Sequence, residues 1–288
     1  MEFAKIGTEQ IILLTQQTVL TILLPLVIAI VWTIRKKEKF STVIIGAATF
    51  LLFALVLEKP IQNLLLFPDA MGLTQHAASR FINAHPVLMA FMAGLFPGLF
   101  EETGRLIAFK TLLKNKKNKE TAVSYGIGHG CFEVMLIVGA TSVTYLVYAF
   151  MINSGTFGTV VSQVVAKAPD KVDSLYKLAD QLAAFSIANL GMSVAERVFA
   201  VMFHIGASII VFYACRDKNK LWLYPLAILL HTVMDFIAAM AVFKVFTLSD
   251  IALEAIIGAT AVLTFCVAYF LLYRKDGNNV EKYREKCC

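Results

Sequence analysis

Charge is scarce in this sequence. Only 16% of its 288 residues are charged, against about 25% in an ordinary soluble domain. The apolar share is 58% and the mean hydropathy is +0.72. This balance excludes a disordered chain and an ordinary soluble enzyme. Cysteine offers no framework either. Of the five, Cys131 and Cys266 lie inside apolar runs and Cys215, Cys287 and Cys288 fall near basic segments, so no disulfide scaffold is expected and the terminal pair reads as a reduced tail. The apolar stretch 11–34 is too long for a signal-peptide core and has no small-residue cleavage site before its basic flank, so no cleavable leader is expected. Internal repeats and low-complexity segments are absent. The net charge of +6 sits in short clusters between apolar runs, where it sets topology; a nucleic-acid partner is not expected.

What is present is a series of long apolar segments. Crossing a bilayer takes ~20 residues, and seven segments suffice: 11–34, 41–58, 86–113, 121–152, 192–215, 221–243 and 250–273. An all-α polytopic membrane protein follows, expected as a single integral membrane domain over 1–288 in a bacterial cytoplasmic membrane. The third and fourth segments exceed the minimum and are expected to tilt or to start in the interface. Pro60 to Pro86 reads as an outer loop with an interfacial piece at Leu64, Leu65, Leu66 and Phe67. The longest loop is 153–191, on the extracytoplasmic side. Pro169 can open a helix there, and Val172, Leu175, Ala179, Leu182 and Ser186 recur at helical spacing. That pattern predicts an amphipathic helix on the membrane surface.

Basic clusters fix the expected orientation. Arg35, Lys36, Lys37 and Lys39 follow the first segment; Lys114, Lys116, Lys117 and Lys119 follow the third; Arg216, Lys218 and Lys220 follow the fifth; Arg274 and Lys275 follow the seventh. Every second loop is basic, which places the N-terminus outside and the C-terminus in the cytoplasm. Seven crossings give the same parity.

The few charges inside apolar segments are unevenly placed. The first two segments carry none in their cores, and the seventh has Glu254 near its outer end. Segments three to six, 86–243, hold Glu101, Glu102, Arg105, His129, Glu133, Glu196, Arg197, His204, His231 and Asp235. Each such charge costs at least ~2.5–3.5 kcal/mol at mid-bilayer, so a set of this size must be paired or functional. At 1.5 Å per residue Glu101 lies ~18 Å from the end of its segment, His129 ~12 Å, His204 ~16 Å and His231 ~15 Å. One Glu and three His thus share a slab on the cytoplasmic side of the midplane. Glu101 and Arg105, His129 and Glu133, and His231 and Asp235 are each four apart, on one helical face. Gly126, Gly128 and Gly130 allow a neighbouring helix close to His129, and Gly94 and Gly98 do the same on the third segment.

Three neutral imidazoles around one point can bind Zn²⁺ and leave a fourth position open. Metal-bound water loses a proton near pH 7, and a nearby carboxylate can take it. Glu101 or Glu102 could be that base. Arg105 would keep one of the two adjacent carboxylates ionised, and Asp235 would ligate or orient His231. Glu196 with Arg197 reads as a structural ion pair, Cys131 as small-residue packing, and His76 and His85 as solvated.

These residues carry a resemblance. Phe100-Glu101-Glu102-Thr103-Gly104-Arg105, Gly128-His129-Gly130-Cys131-Phe132-Glu133, Glu196-Arg197 with Phe203-His204, and His231-Thr232-Val233-Met234-Asp235, taken in order, look like the YhfC family of intramembrane metalloproteases. That family is similar to the PrsW proteases and, more distantly, to the CAAX prenyl and bacteriocin-processing protease superfamily. The likeness covers about half the chain. It implies an intramembrane endopeptidase that hydrolyses a membrane-embedded or membrane-associated peptide or protein. The superfamily's paired glutamates and following basic residue fall on Glu101, Glu102 and Arg105, with two residues before the Arg where the CAAX branch has three. The last motif falls on His231 and Asp235. Glu133 matches a Glu of the PrsW branch, where His204 after Arg197 also fits, and His129 is an addition on the YhfC side. Glu101, Glu102, Arg105 and Glu133 are therefore expected to be catalytic. His129, His204 and His231 are expected to bind zinc, supported by Asp235, Arg197 and Glu196. A metal-free mechanism stays open, since some superfamily members are thought to activate water with Glu and His alone. Two other classes fit the same buried charges. One is a proton-coupled carrier, although carriers tend to show two related halves; the other is a non-catalytic membrane protein that binds a peptide or lipid.

Overall fold

The structure, a computed structural model, describes residues 3–276, and every regular element among them is helical. The Cys287–Cys288 pair lies outside the described residues. Helix α1 spans Thr8–Lys36. Helix α2 (Phe40–Phe50) runs through a π-helical stretch, Leu51–Glu58, into α3 (Lys59–Leu66). The short α4 (Ala77–Asn83) precedes α5 (Pro86–Lys110). Helix α6 (Glu120–Glu133) continues through a second π-helical stretch, Val134–Gly139, into α7 (Ala140–Asn153). Helices α8 (Gly158–Lys167) and α9 (Val172–Ala183) follow, then α10 (Ile187–Arg216), α11 (Leu223–Val242) and α12 (Asp250–Ala268), which ends in π-helical Tyr269–Tyr273.

Six of these rods are long and apolar enough to cross a membrane: Thr8–Lys36, Phe40–Leu66, Glu120–Asn153, Ile187–Arg216, Lys218–Val242 and Asp250–Asp276. The seventh expected crossing, α5, qualifies only together with α4, from which it bends by 111°. Its weaker apolar character has a local cause, because Glu101, Glu102 and Arg105 interrupt the run. Large apolar side chains such as Ile251 (73%), Leu263 (65%) and Leu229 (57%) stand exposed. In a helical protein of this composition, that surface suits lipid.

The second crossing is longer than its sequence suggests. The Pro60 to Pro86 stretch was expected to be loop, yet the helix continues through Pro60 to Leu66. Pro60 stands directly after the π-helical stretch, as the second residue of α3. The third crossing ends at Lys110, three residues earlier than expected.

Contacts divide the chain into two compact units: Met1–Val27 with Glu133–Arg197, and Ile28–Phe132 with Val198–Cys288. Within the first, Ala149, Ile152, Phe157, Ala179 and Leu182 form a small core. Asn153 accepts from the Ile6 N–H at 2.8 Å and donates to the Ile6 carbonyl at 2.9 Å. Helix α9 is the amphipathic helix read from 172–186: Ala179 and Leu182 are its buried residues. Helix α8 had no such signal and is an addition.

The second unit holds a larger core, with Phe109, Tyr125, Ile209 and Phe212 among its buried members. The Phe109 ring lies 4.7 Å from Tyr125 and 5.3 Å from Phe212, tying α5, α6 and α10 together. Glycines set how closely those helices approach. A β-carbon on Gly126 would sit 2.7 Å from Ile205 Cα, and one on Gly128 would sit 2.8 Å from Val43 Cα. Helix α6 is thus pressed against α10 on one side and α2 on the other. Gly94 does the same for α5 and α11, since its β-carbon would fall 2.6 Å from the Phe236 nitrogen.

Candidate active site

The close approach of α5, α6, α10 and α11 brings their polar side chains together inside the second unit. Helix α5 supplies Glu101, Glu102 and Arg105, α6 supplies His129, α10 His204, and α11 His231 and Asp235. Glu102, Arg105 and His129 are fully buried, His204 and His231 are 3% exposed, and Glu101 is 6% exposed.

Glu101 is where the imidazoles meet. Its Oε2 lies 2.8 Å from His129 Nε2 and 4.0 Å from His231 Nε2. Glu101, His129 and His204 each offer a ligand atom within 4.8 Å of the others. The His129 and His204 rings are 4.7 Å apart, and those of His204 and His231 5.6 Å. Phe50 packs edge-on to His129 at 5.2 Å and Phe203 to His231 at 5.0 Å. These rings close the site with apolar walls, which strengthens every electrostatic interaction inside.

Glu102 has a different setting. Its Oε1 accepts from Arg105 and from His231 Nδ1 at 2.9 Å. A carboxylate only accepts, so His231 carries a proton on Nδ1 and, when neutral, leaves Nε2 with a free lone pair. That nitrogen lies 3.6 Å from Asp235 Oδ2. Asp235, with a side chain 31% exposed, is the most accessible of these groups. Arg105 Nη2 lies 3.0 Å from His204 Nδ1. A guanidinium only donates, so His204 accepts there and, when neutral, holds its proton on Nε2. Arg105 therefore pairs with Glu102 three residues back, and Glu101, four residues back on the shared face, faces His129.

Glu133, Glu196 and Arg197 belong to the first unit. Arg197 pairs there with its neighbour Glu196, and Glu133 closes α6 where the π-helical stretch begins.

Glu58 is the residue sequence reasoning passed over. It ends the π-helical stretch of the second crossing and is 1% exposed. Lys59 Nζ lies 3.5 Å from its Oε1, and its carboxylate is within electrostatic reach of His231 and Asp235. Its position at the last residue of an apolar run, directly before Lys59 and Pro60, hid it as a helix end. A π-helical turn often marks a functional site, but that register is not visible in sequence.

Buried carboxylates and imidazoles packed between membrane-crossing helices mark a functional site in an integral membrane protein. The YhfC intramembrane metalloprotease family model matches residues 20–258. A relative from Bacillus subtilis (strain 168), described as uncharacterized membrane protein YhfC, is 31% identical over 231 residues, covering 80% of this chain and 84% of its own. The chain belongs to the YhfC family. No solved structure matches it.

The family description implies a metal, and the donor set here is compatible with one. His129 and His204 offer ring nitrogens close enough to share one divalent ion, with Glu101 beside them and the His231 ring 5.6 Å from that of His204. His129 Nδ1 and Glu102 Oε2 are buried without a hydrogen-bond partner. The Glu102–His231 hydrogen bond repeats the arrangement in which a carboxylate orients a ligating ring. At His204 an ion would have to displace either the Arg105 hydrogen bond or the ring proton, so loading there would release a proton or free the guanidinium.

Proposed function

We propose that this protein is an intramembrane endopeptidase that hydrolyses a peptide bond of a membrane-embedded or membrane-associated substrate. The observation that carries this reading is Glu101. It is a nearly buried carboxylate, hydrogen-bonded to His129 and approached by His231, among apolar helices. Glu101 accepts the proton of the attacking water, and the His129 contact holds its carboxylate in position. A proton taken by a positioned carboxylate can be passed on to the leaving amine, so water adds across the bond: hydroxyl to the acyl carbon, hydrogen to the nitrogen. Glu102 and Arg105 do not exchange protons. They neutralise each other, and through Nδ1 and His204 they fix the tautomers of two rings.

His129, His204 and His231 would hold a Zn²⁺ ion, which when bound supplies a Lewis acid that lowers the pKa of water. The carboxylate beside these rings is then the base, as the sequence pattern suggests. Asp235 is the half-buried member through which the site meets its substrate.

The test is product analysis. The full chain, reconstituted in liposomes with transmembrane peptides, is expected to release shortened peptides carrying one added water per cleavage, seen by mass spectrometry. Transport of an ion or solute with every peptide left intact would contradict this reading and favour a carrier.

A further inference from the structure

A cavity of about 580 Å³ lies at the helix ends of the same unit and is lined by none of the candidate site residues. Helix α5 ends beside it at Lys110, α10 at Arg216 and the last crossing at Asp276. Lys110, Lys114, Lys116, Lys117 and Arg216 line it, against one carboxylate, Asp276. That carboxylate already accepts from the Tyr213 hydroxyl at 2.8 Å. Lys116 lies 3.6 Å from Glu38; among the described residues no other of the five cations has an ion-pair partner. Arg216 rests over the Phe212 ring at 4.5 Å, which positions the guanidinium without neutralising it. Phe109, Leu113 and Phe212 give the cavity an apolar floor.

Basic residues at helix ends serve topology simply by lying on one side of the membrane. That role does not require them to converge. Here the end of α5, its following turn and the end of α10 direct five cations at one hollow, which concentrates positive potential there. The occupant that suits it is anionic at one end and apolar at the other, and it sits where membrane helices end. We infer that this cavity binds the headgroup of an anionic phospholipid, with the phosphodiester among Lys114, Lys117 and Arg216 and the acyl chains continuing along the apolar helix ends. Basic pockets between transmembrane helices recognise such headgroups. The site is independent of the proposed hydrolysis.

The test uses the full chain in neutral detergent, titrated with phosphatidylglycerol or phosphatidylcholine and read by native mass spectrometry. Wild type should retain phosphatidylglycerol in preference. Each lysine near an anionic surface is worth about fivefold, so Lys114→Gln with Lys117→Gln should reduce that preference roughly 25-fold. Arg35→Gln with Lys36→Gln makes the same change in net charge outside the cavity and should leave it unchanged. An equal loss in both double variants would reduce the effect to general surface charge and overturn the site. So would a wild type without preference. If excess inorganic phosphate displaced the lipid completely, the cavity would be a free-anion site, which also overturns the inference.

Discussion

Glu101 and Glu102 are neighbours, yet replacing each by glutamine should have opposite consequences. Glu102 and Arg105 are both fully buried and paired, and Glu102 also holds His231 at 2.9 Å. Glu102→Gln leaves the guanidinium in the interior facing a neutral amide where its ionised partner stood. Removing one partner of a buried ion pair costs about 3–5 kcal/mol. Glu101 faces His129, which is not a fixed cation, and a glutamine oxygen can accept the same hydrogen bond. Glu101→Gln should therefore cost less than about 1.5 kcal/mol. For soluble chains of comparable length a kcal/mol is about 2–4 °C of melting temperature, so Glu102→Gln should melt on the order of 10 °C lower and Glu101→Gln close to wild type. Cys131 is 4% exposed and two residues from His129, so it reports the opening of this core. With Cys215, Cys266, Cys287 and Cys288 changed to Ser, a dye that fluoresces on thiol addition follows Cys131 during heating. Coincident melting of the two glutamine variants would refute the division of roles.

Three further outcomes follow. Gly128→Ala places a β-carbon 2.8 Å from Val43 Cα and should cost about 1–3 kcal/mol or more as an overpacked contact; Gly191→Ala, with open space around it, should be neutral or slightly stabilising in the same melt. His231→Ala should lose both zinc and peptide cleavage, measured by metal analysis and product analysis on one preparation, because a ligand is gone; retention of zinc would remove His231 from the ligand set. A cysteine placed at Lys117 should react with impermeant reagent only in opened cells, and labelling of intact cells would reverse the expected orientation.

Most of the architecture was legible because bilayer crossing imposes a length and an apolar character that few other constraints resemble. The clustering of Glu101, His129, His204 and His231 was legible for a related reason. Each sat at a similar depth in its own segment, and Gly126, Gly128 and Gly130 marked where helices could come close. The pairing inside the site was not legible. Spacing put Arg105 on one face with Glu101, but three-residue spacing serves as well, and the choice of Glu102 depends on the positions of His204 and His231 on other helices. Glu58 was missed because the π-helical register from Leu51 moves its side chain inward, whereas an α-helical ending at that point reads as the water boundary. Pro60 reads as a loop residue by the ordinary rule for proline, whereas it stands inside the second crossing, where the π-helical stretch gives way to α-helix.

The role of Glu101 is tested most directly by Glu101→Gln, assayed for cleavage and zinc content on one folded sample. A positioned base contributes about 10²–10⁴-fold, so cleavage should fall by that factor while zinc per chain and melting temperature stay near wild type. Full cleavage by the Glu101→Gln protein would contradict the hydrolytic role of Glu101, and loss of zinc along with activity would make Glu101 a ligand and contradict its role as the base.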